Sequence, residues 1–271
     1  MRILILTSKD HPYGNIVLGQ LFAGNVLDGH QVTVWEQDSI VPGKGKFDGL
    51  RKYLTIAGAR YVWYQAAKQC FFLLARFTAT VSGNKKSLWY PYEKRARVQM
   101  TRETVNGIKS DAVRNEVQAL HVDVLLSLFS KEIIPSSILA LPTIGSVNLH
   151  PAPLPYFRGV SPTFWVLKER QKTTGVTLHI LDAGIDTGRI LGQTLVPAGQ
   201  YTCEHELYVR LALGGATLVT RWLSAIKRAS KRAMVGIIQR EKGSYFSMPT
   251  RDAVDTFLRD GHVFFHLRDF M

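Results

Sequence analysis

Acidic side chains are scarce in this sequence: across 271 residues, 21 Asp and Glu stand against 34 Lys and Arg, a net charge of +13. The scarcity is local. Between Lys44 and Arg102 there are 13 basic residues and only Asp48 and Glu93, and between Arg221 and Lys242 there are 7 and only Glu241. The remainder of the chain is slightly acidic, so the excess marks two segments suited to an anion such as phosphate, nucleic acid or an acidic membrane surface. A generally basic surface is the plainer alternative. Cysteine is almost absent: Cys70 and Cys203 sit in no C-x-x-C pair and no Cys/His ligand cluster. That excludes a disulfide framework and fits a reducing, cytoplasmic setting. The N-terminal run Met1–Thr7 is too short for a signal peptide and has no cleavage site after it. No uncharged run reaches the roughly 18 residues that a membrane span needs. Internal repeats and low-complexity tracts are missing as well. What is present, 46% hydrophobic and 10% aromatic residues, suffices for a packed core.

Residues 2–7 are β-branched and Leu-rich and end in the turn chemistry of His11-Pro12-Tyr13-Gly14, which predicts a buried strand. Apolar spacing from Asn15 to Asp28 predicts a helix stopped by Gly29, and Gln31–Trp35 predicts a second strand. Strand, helix and strand in this order indicate a parallel βαβ unit of an α/β fold. Further along, the pattern predicts a Gly/Lys loop over Pro42–Lys46 and a long helix over Tyr53–Phe77 with Gly58 as its weak point. A helix is expected over Thr101–Leu120, with strands over Val122–Leu128 and Ile144–Leu149. Pro135–Leu139 and Pro162–Arg170 read as helices. Gly175–Leu181 and Ile190–Val196 read as strands around a Gly/Asp-rich loop, and Glu204–Ala229 as a long helix. The tail from Lys231 carries a strand-like Met234–Gln239 and a short helix near Asp252–Arg259.

The chemistry-bearing residues gather between Ser146 and Pro197. Along a strand, Asn148 and His150 share one face, so an amide donor and an imidazole converge on one space. Together these types can stabilise an oxyanion and handle a proton. The following Pro151-Ala-Pro-Leu-Pro-Tyr-Phe-Arg158-Gly159 is a stiff loop that presents Arg158. In Asp182-Ala-Gly184-Ile185-Asp186-Thr187-Gly188 two glycines allow tight turns around two carboxylates. A carboxylate near His150 would orient its ring, raise its basicity or relay a proton. No metal site is expected: His262 and His266 are four apart but lie in the tail and form no recognised ligand pattern.

In this order, Ser146-Val-Asn148-Leu-His150-Pro, Leu154-Pro155, Arg158-Gly159, Thr174-Gly175-Val-Thr177-Leu-His179 and Asp182–Gly188 resemble the formyltransferase family. The resemblance is specific over about 122–200 and compatible over 1–36 and 204–228. It implies a Rossmann-like, mostly parallel sheet with helices on both faces, plus a short C-terminal appendage. Residues 1–229 would form the catalytic domain, with a basic aromatic insertion at about 44–100, and 230–271 the appendage. It also implies 10-formyltetrahydrofolate as formyl donor and Asn148, His150 and Asp186 as catalytic residues. Leu128, Phe129, Ser130, Ile133, Ile134, Asp182, Gly184 and Ile185 would line the donor pocket. Gly14, Asn15, Arg158 and His179 would contact the acceptor.

The acceptor implied is a small-molecule amine: an amino sugar, an amino acid or similar. The alternatives are an enzyme like methionyl-tRNA formyltransferase, a 10-formyltetrahydrofolate hydrolase and a non-catalytic folate-binding protein. The short stretch after Glu204–Ala229 argues against tRNA, and the single glycine in Ser8–Asn15 argues against the glycinamide ribonucleotide acceptor, whose phosphate needs a glycine-rich loop. Tyr53–Phe77 interleaves aromatic residues with Arg60, Lys68 and Arg76. Its first reading is an amphipathic helix packed on the sheet; a homodimer contact and a peripheral membrane contact through 53–77 are the alternatives. Nucleic acid is disfavoured because no recognised binding motif is present.

Overall fold

The computed structural model describes residues 1–38, 46–229 and 234–270. Residues 42–45 of the expected Gly/Lys loop lie outside the described residues. The first strand, β1 (Arg2–Ser8), is followed by helix α1 (Pro12–Ala23) and strand β2 (Gln31–Gln37). The helix begins earlier than its apolar spacing suggests, because Pro12 occupies the first turn and the His11 side chain caps it by accepting from the Gly14 N–H. It ends at Gly24 rather than Gly29, with the Gly24 N–H returned to the Gln20 carbonyl.

A long helix, α2 (Lys46–Val81), comes next, and Gly58 interrupts it with φ 82° and ψ 165°. The sheet then continues through β3 (Met100–Val105), α3 (Asp111–Ala119), β4 (Val124–Leu128), α4 (Ser136–Leu139) and β5 (Gly145–His150). The expected helix over Thr101–Leu120 is thus corrected. Its first part is an edge strand paired with β2, and only its second part is helical. Alternating charges at Arg102 and Glu103 imitate an exposed helix. β-Branched Thr101, Thr104 and Val105 favour the strand, and two side-chain contacts tie it down. Arg102 Nη2 meets buried Glu36 at 2.7 Å, and Trp35 Nε1 donates to Glu103 at 3.1 Å. Ser110 then caps α3 by accepting from the Val113 N–H.

The remaining elements are β6 (Arg158–Gly159), α5 (Pro162–Lys168), β7 (Thr173–Ile180), β8 (Ile190–Pro197), α6 (Glu204–Ala229), β9 (Tyr245–Phe246) and α7 (Arg251–Arg259). The sheet order is β3-β2-β1-β4-β5-β7-β8, and β6 pairs with β9 in a separate two-stranded sheet. The first five strands are mutually parallel; β7 runs antiparallel to both its neighbours. Met234–Gln239 is not a strand: among the described residues only Ile237 bridges to Ile190.

Alternation along the strands sends side chains into two layers. Ile3, Ile5, Val147 and Leu149 join the larger core, together with apolar residues of α1 and α6. Leu4, Leu6 and Leu125 join a smaller one with Val117 and Ile138 of α3 and α4. Helices therefore cover both faces, as an α/β sheet buried on each side requires. Residues after 233 are part of the larger core rather than apart from it: Val254, Phe257, Phe264 and Phe270 are buried there. Phe257 stacks on Phe164 of α5 at 4.7 Å between ring centroids and lies 5.0 Å from Phe264.

Phe257→Ala is expected to cost roughly 3–5 kcal/mol, the range for truncating a buried aromatic. Urea unfolding followed by circular dichroism and by tryptophan fluorescence should give coincident transitions, both moved to lower urea. Separate transitions would show that the C-terminal residues form an independent unit.

Candidate active site

Two residues at the end of β5 open the site. Asn148 and His150 project from the face opposite Val147 and Leu149, which are committed to the core. β7 runs beside them, with His179 opposite Asn148 and Thr177 opposite His150. Thr177 anchors the proline-rich loop: its hydroxyl donates to the Ala152 carbonyl at 2.6 Å and accepts from the Leu154 N–H at 3.2 Å.

The loop from β7 to β8 returns Asp186 to the same space. Asp182 closes that loop on itself, accepting from the Gly184 N–H at 3.1 Å and the Thr187 hydroxyl at 2.7 Å. Gly188 passes so close to the Ile180 carbonyl that a Cβ would lie 1.8 Å from its oxygen, so only glycine fits. Asp186 itself adopts a left-handed φ of 54°, a conformation that Asp tolerates better than most residues. The loop geometry therefore aims one carboxylate inward and keeps the other for the turn.

Four groups meet Asp186. Its Oδ2 accepts from the Gly159 N–H at 2.9 Å and lies 3.5 Å from His150 Nδ1. Its Oδ1 lies 3.5 Å from both His179 Nε2 and Asn148 Nδ2. Burial raises the Asp186 carboxyl, but His150, His179 and the Gly159 N–H outweigh it and hold the group well below the ordinary carboxylate range. The carboxylate is therefore ionised. Burial pushes the His150 imidazole below its ordinary value, while Asp186 and the Phe157 carbonyl pull it back up. That carbonyl accepts from His150 Nε2 at 2.8 Å, so both ring nitrogens face acceptors. His179 Nδ1 lies 2.8 Å from the Ile180 carbonyl, and its Nε2 lies 3.1 Å from Asn148 Nδ2. His179 is buried, and its side chain meets Asn148 and Asp186.

The other expected site residues fall in three places. Phe129, Ser130 and Ile133 leave the end of β4, beside β5, and Ile133 is 57% exposed. Leu128 and Ile134 are buried behind them. Gly184 and Ile185 are exposed on the β7–β8 loop. Gly14 and Asn15 lie inside α1: the Asn15 amide donates to the Leu88 and Tyr90 carbonyls and accepts from the Tyr92 N–H, so it secures the segment after α2. Arg158 turns to Gln239 Oε1 at 2.7 Å and the Lys242 carbonyl at 3.3 Å. Gln239 in turn donates to the Asp186 and Gly188 carbonyls at 3.0 and 2.6 Å. Arg158 and Gln239 thus brace the Asp186 loop from outside.

Gln239 and the Gly159 N–H carry no sequence signal, the first because it is distant in sequence, the second because it is backbone. His11 is another unforeseen neighbour. It stacks on Phe129 at 4.9 Å, and burial, with Lys131 and Lys68 adding to it, pushes its imidazole down to about 3.

A cavity of about 390 Å³ under the start of α6 is lined by Trp89, His205, Glu206 and Asp269 among others, and none of Asn148, His150 or Asp186 borders it. Near it, Cys203, Glu206 and His266 bring three donor atoms within 4.8 Å of one another. Burial, with Asp269 and Glu206 nearby, pushes the Cys203 thiol up to about 12, and Glu206 pairs with Arg268 at 3.3 Å. A protonated thiol beside a paired carboxylate reads as packing between α6 and the C-terminal segment.

The electrostatic arrangement gives a signed expectation. Asp186 raises the His150 pKa against burial, so Asp186→Asn should lower it further. Imidazole titration by NMR measures this directly; an upward shift would contradict the arrangement.

Residues 85–222 match the family model described as formyl transferase. A methionyl-tRNA formyltransferase of Synechococcus sp. (strain JA-2-3B'a(2-13)) is 36% identical over 112 residues, which is 41% of this chain and 35% of that protein. The bifunctional polymyxin resistance protein ArnA of Wigglesworthia glossinidia brevipalpis is 37% identical over 107 residues, 40% of this chain and 16% of that protein. The matched region thus spans well under half the length of these relatives. A sugar N-formyltransferase from Shewanella sp FDAARGOS_354 superimposes with a TM-score of 0.58 at 18% identity, over 92% of this chain and 77% of that one, which shows a shared fold. With Asn148, His150, His179 and Asp186 all inside the matched residues, the chain belongs to the formyl transferase family.

Proposed function

We propose that this protein is an N-formyltransferase, moving the formyl group of 10-formyltetrahydrofolate to the amine of a small-molecule acceptor such as an amino sugar or amino acid. The observation that carries this reading is the convergence of Asn148, His150 and His179 on one ionised carboxylate, Asp186, at the end of β5. Asn148 Nδ2 is the donor for the formyl oxygen as an attacking amine turns it into an oxyanion, and His179 holds that amide in place. One such donor contributes about 3–4 kcal/mol when it is fixed in advance. His150 lies between two acceptors, so a proton taken up there meets favourable charge on both sides. Asp186, already ionised, accepts the amine's proton or stabilises it on His150, and the proton then passes to the departing nitrogen.

The residues around this carboxylate suit a folate donor. The loop from Phe129 to Pro135 and the Asp182–Gly188 loop flank the end of the sheet, with Ile133 and Ile185 57% and 41% exposed as apolar walls. Leu128 and Ile134 support the first wall from behind, and Asp182 and Gly184 shape the second. The likeness in fold to a sugar N-formyltransferase supports an amino-sugar acceptor. Formylation of methionyl-tRNA is the second reading, supported by the 36% identical Synechococcus relative. The free thiols of Cys70 and Cys203 suit a cytoplasmic setting.

The test is turnover of 10-formyltetrahydrofolate with a panel of nucleotide-linked amino sugars, amino acids and methionyl-tRNA. Formylation of an amino sugar or amino acid is expected. Asn148→Ala and His150→Ala should each lower kcat about 100–1000-fold, with acceptor KM within a few-fold of the parent. Equal rates in parent and variants would refute the assigned roles, and formylation of methionyl-tRNA alone would establish the second reading.

A further inference from the structure

The inward face of α2 is fully used. Tyr61, Phe72, Ala75 and Ala79 are buried. Its cations are consumed on that side too: Lys68 meets Glu204 at 3.4 Å, and Arg76 meets Asp10 and Glu93. The outward face after the Gly58 break is different. Trp63, Cys70, Leu73, Leu74, Phe77 and Val81 are all exposed, at spacings of three, four and seven that form one stripe along the helix. Trp63, Phe77 and Val81 are 63%, 64% and 71% exposed. A contiguous apolar stripe of this length marks an interaction surface.

Charge selects the occupant. Arg51 and Lys52 precede the stripe and Lys85 and Lys86 follow it, all exposed. No Asp or Glu occurs between Asp48 and Glu93. A second copy laid along this helix in either direction would bring cations to cations at both ends, and Asp48 is the one carboxylate that α2 sets against them. An anionic bilayer accommodates the same pattern: the apolar stripe enters the acyl boundary, the indole sits at headgroup level and the lysines stay on the phosphates. We propose that α2 is an interfacial helix that docks this protein on an anionic phospholipid surface. Among the described residues no helix is long and apolar enough to cross a membrane.

Vesicle flotation of the full chain tests this. Binding is expected to vesicles of mixed phosphatidylglycerol and phosphatidylcholine and not to phosphatidylcholine alone, and added salt should weaken it. Brominated lipid should quench tryptophan emission, and Trp63→Phe should remove that quenching. Leu74→Asp with Phe77→Asp, and separately Lys85→Glu with Lys86→Glu, should each lower partitioning at least about tenfold. Their circular dichroism should match the parent, because all four side chains are exposed. Absence of binding to the anionic vesicles, or equal binding to neutral ones, would overturn the proposal. So would a concentration-dependent dimer that the Leu74→Asp, Phe77→Asp variant abolishes, which would assign the face to a second copy.

Discussion

A single buried carboxylate organises the end of this sheet. Asp186 is held ionised against the cost of burial by two histidines and one backbone N–H. A buried charge without such partners would neutralise itself or destabilise the fold. Much of the surrounding architecture serves that requirement. Gly188 allows the loop to close on the Ile180 carbonyl, Asp182 locks its near side, and Gln239 with Arg158 braces its outer side. Gly159 reaches the carboxylate because β6 pairs with β9, which comes from the C-terminal segment.

That dependence explains why the residues after α6 are not an ornament on a finished domain. They supply Gln239 to the Asp186 loop, the Tyr245–Phe246 strand to β6, and Phe257 and Phe264 to the core beneath α5. The same segment also covers the inner face of α2, where Tyr64 and Phe71 meet Phe264 and Phe265. Only the outer face of that helix is left apolar and open.

The parallel core was legible in the sequence because strands buried on both faces read as short continuous apolar runs, as in β1 and β4. The pairing of Asn148 with His150 followed from two-residue alternation alone. The residue types alone showed Asp186 as one of two carboxylates in a glycine-rich turn, and the family resemblance singled it out; which one pointed inward depended on a left-handed backbone that the residue types permit but do not dictate. β3 was hidden because an edge strand with alternating charges has the pattern of an exposed helix, and its identity is decided by contacts to Glu36 and Trp35 on another strand. The bracing role of Arg158 and the inward use of Asn15 were hidden for a related reason. Their partners, Gln239 and the carbonyls of Leu88 and Tyr90, are dozens of residues away. The exposed stripe of α2 became distinct from its buried cations only once the packed face was known.

The central claim is that ionised Asp186 completes the reacting site rather than merely stabilising its loop. Single-turnover transfer from 10-formyltetrahydrofolate to an amine that the parent formylates, compared between the parent and Asp186→Asn, tests it most directly. The account predicts a chemical step slowed at least about 100-fold with donor affinity retained. A step within a few-fold of the parent would contradict it.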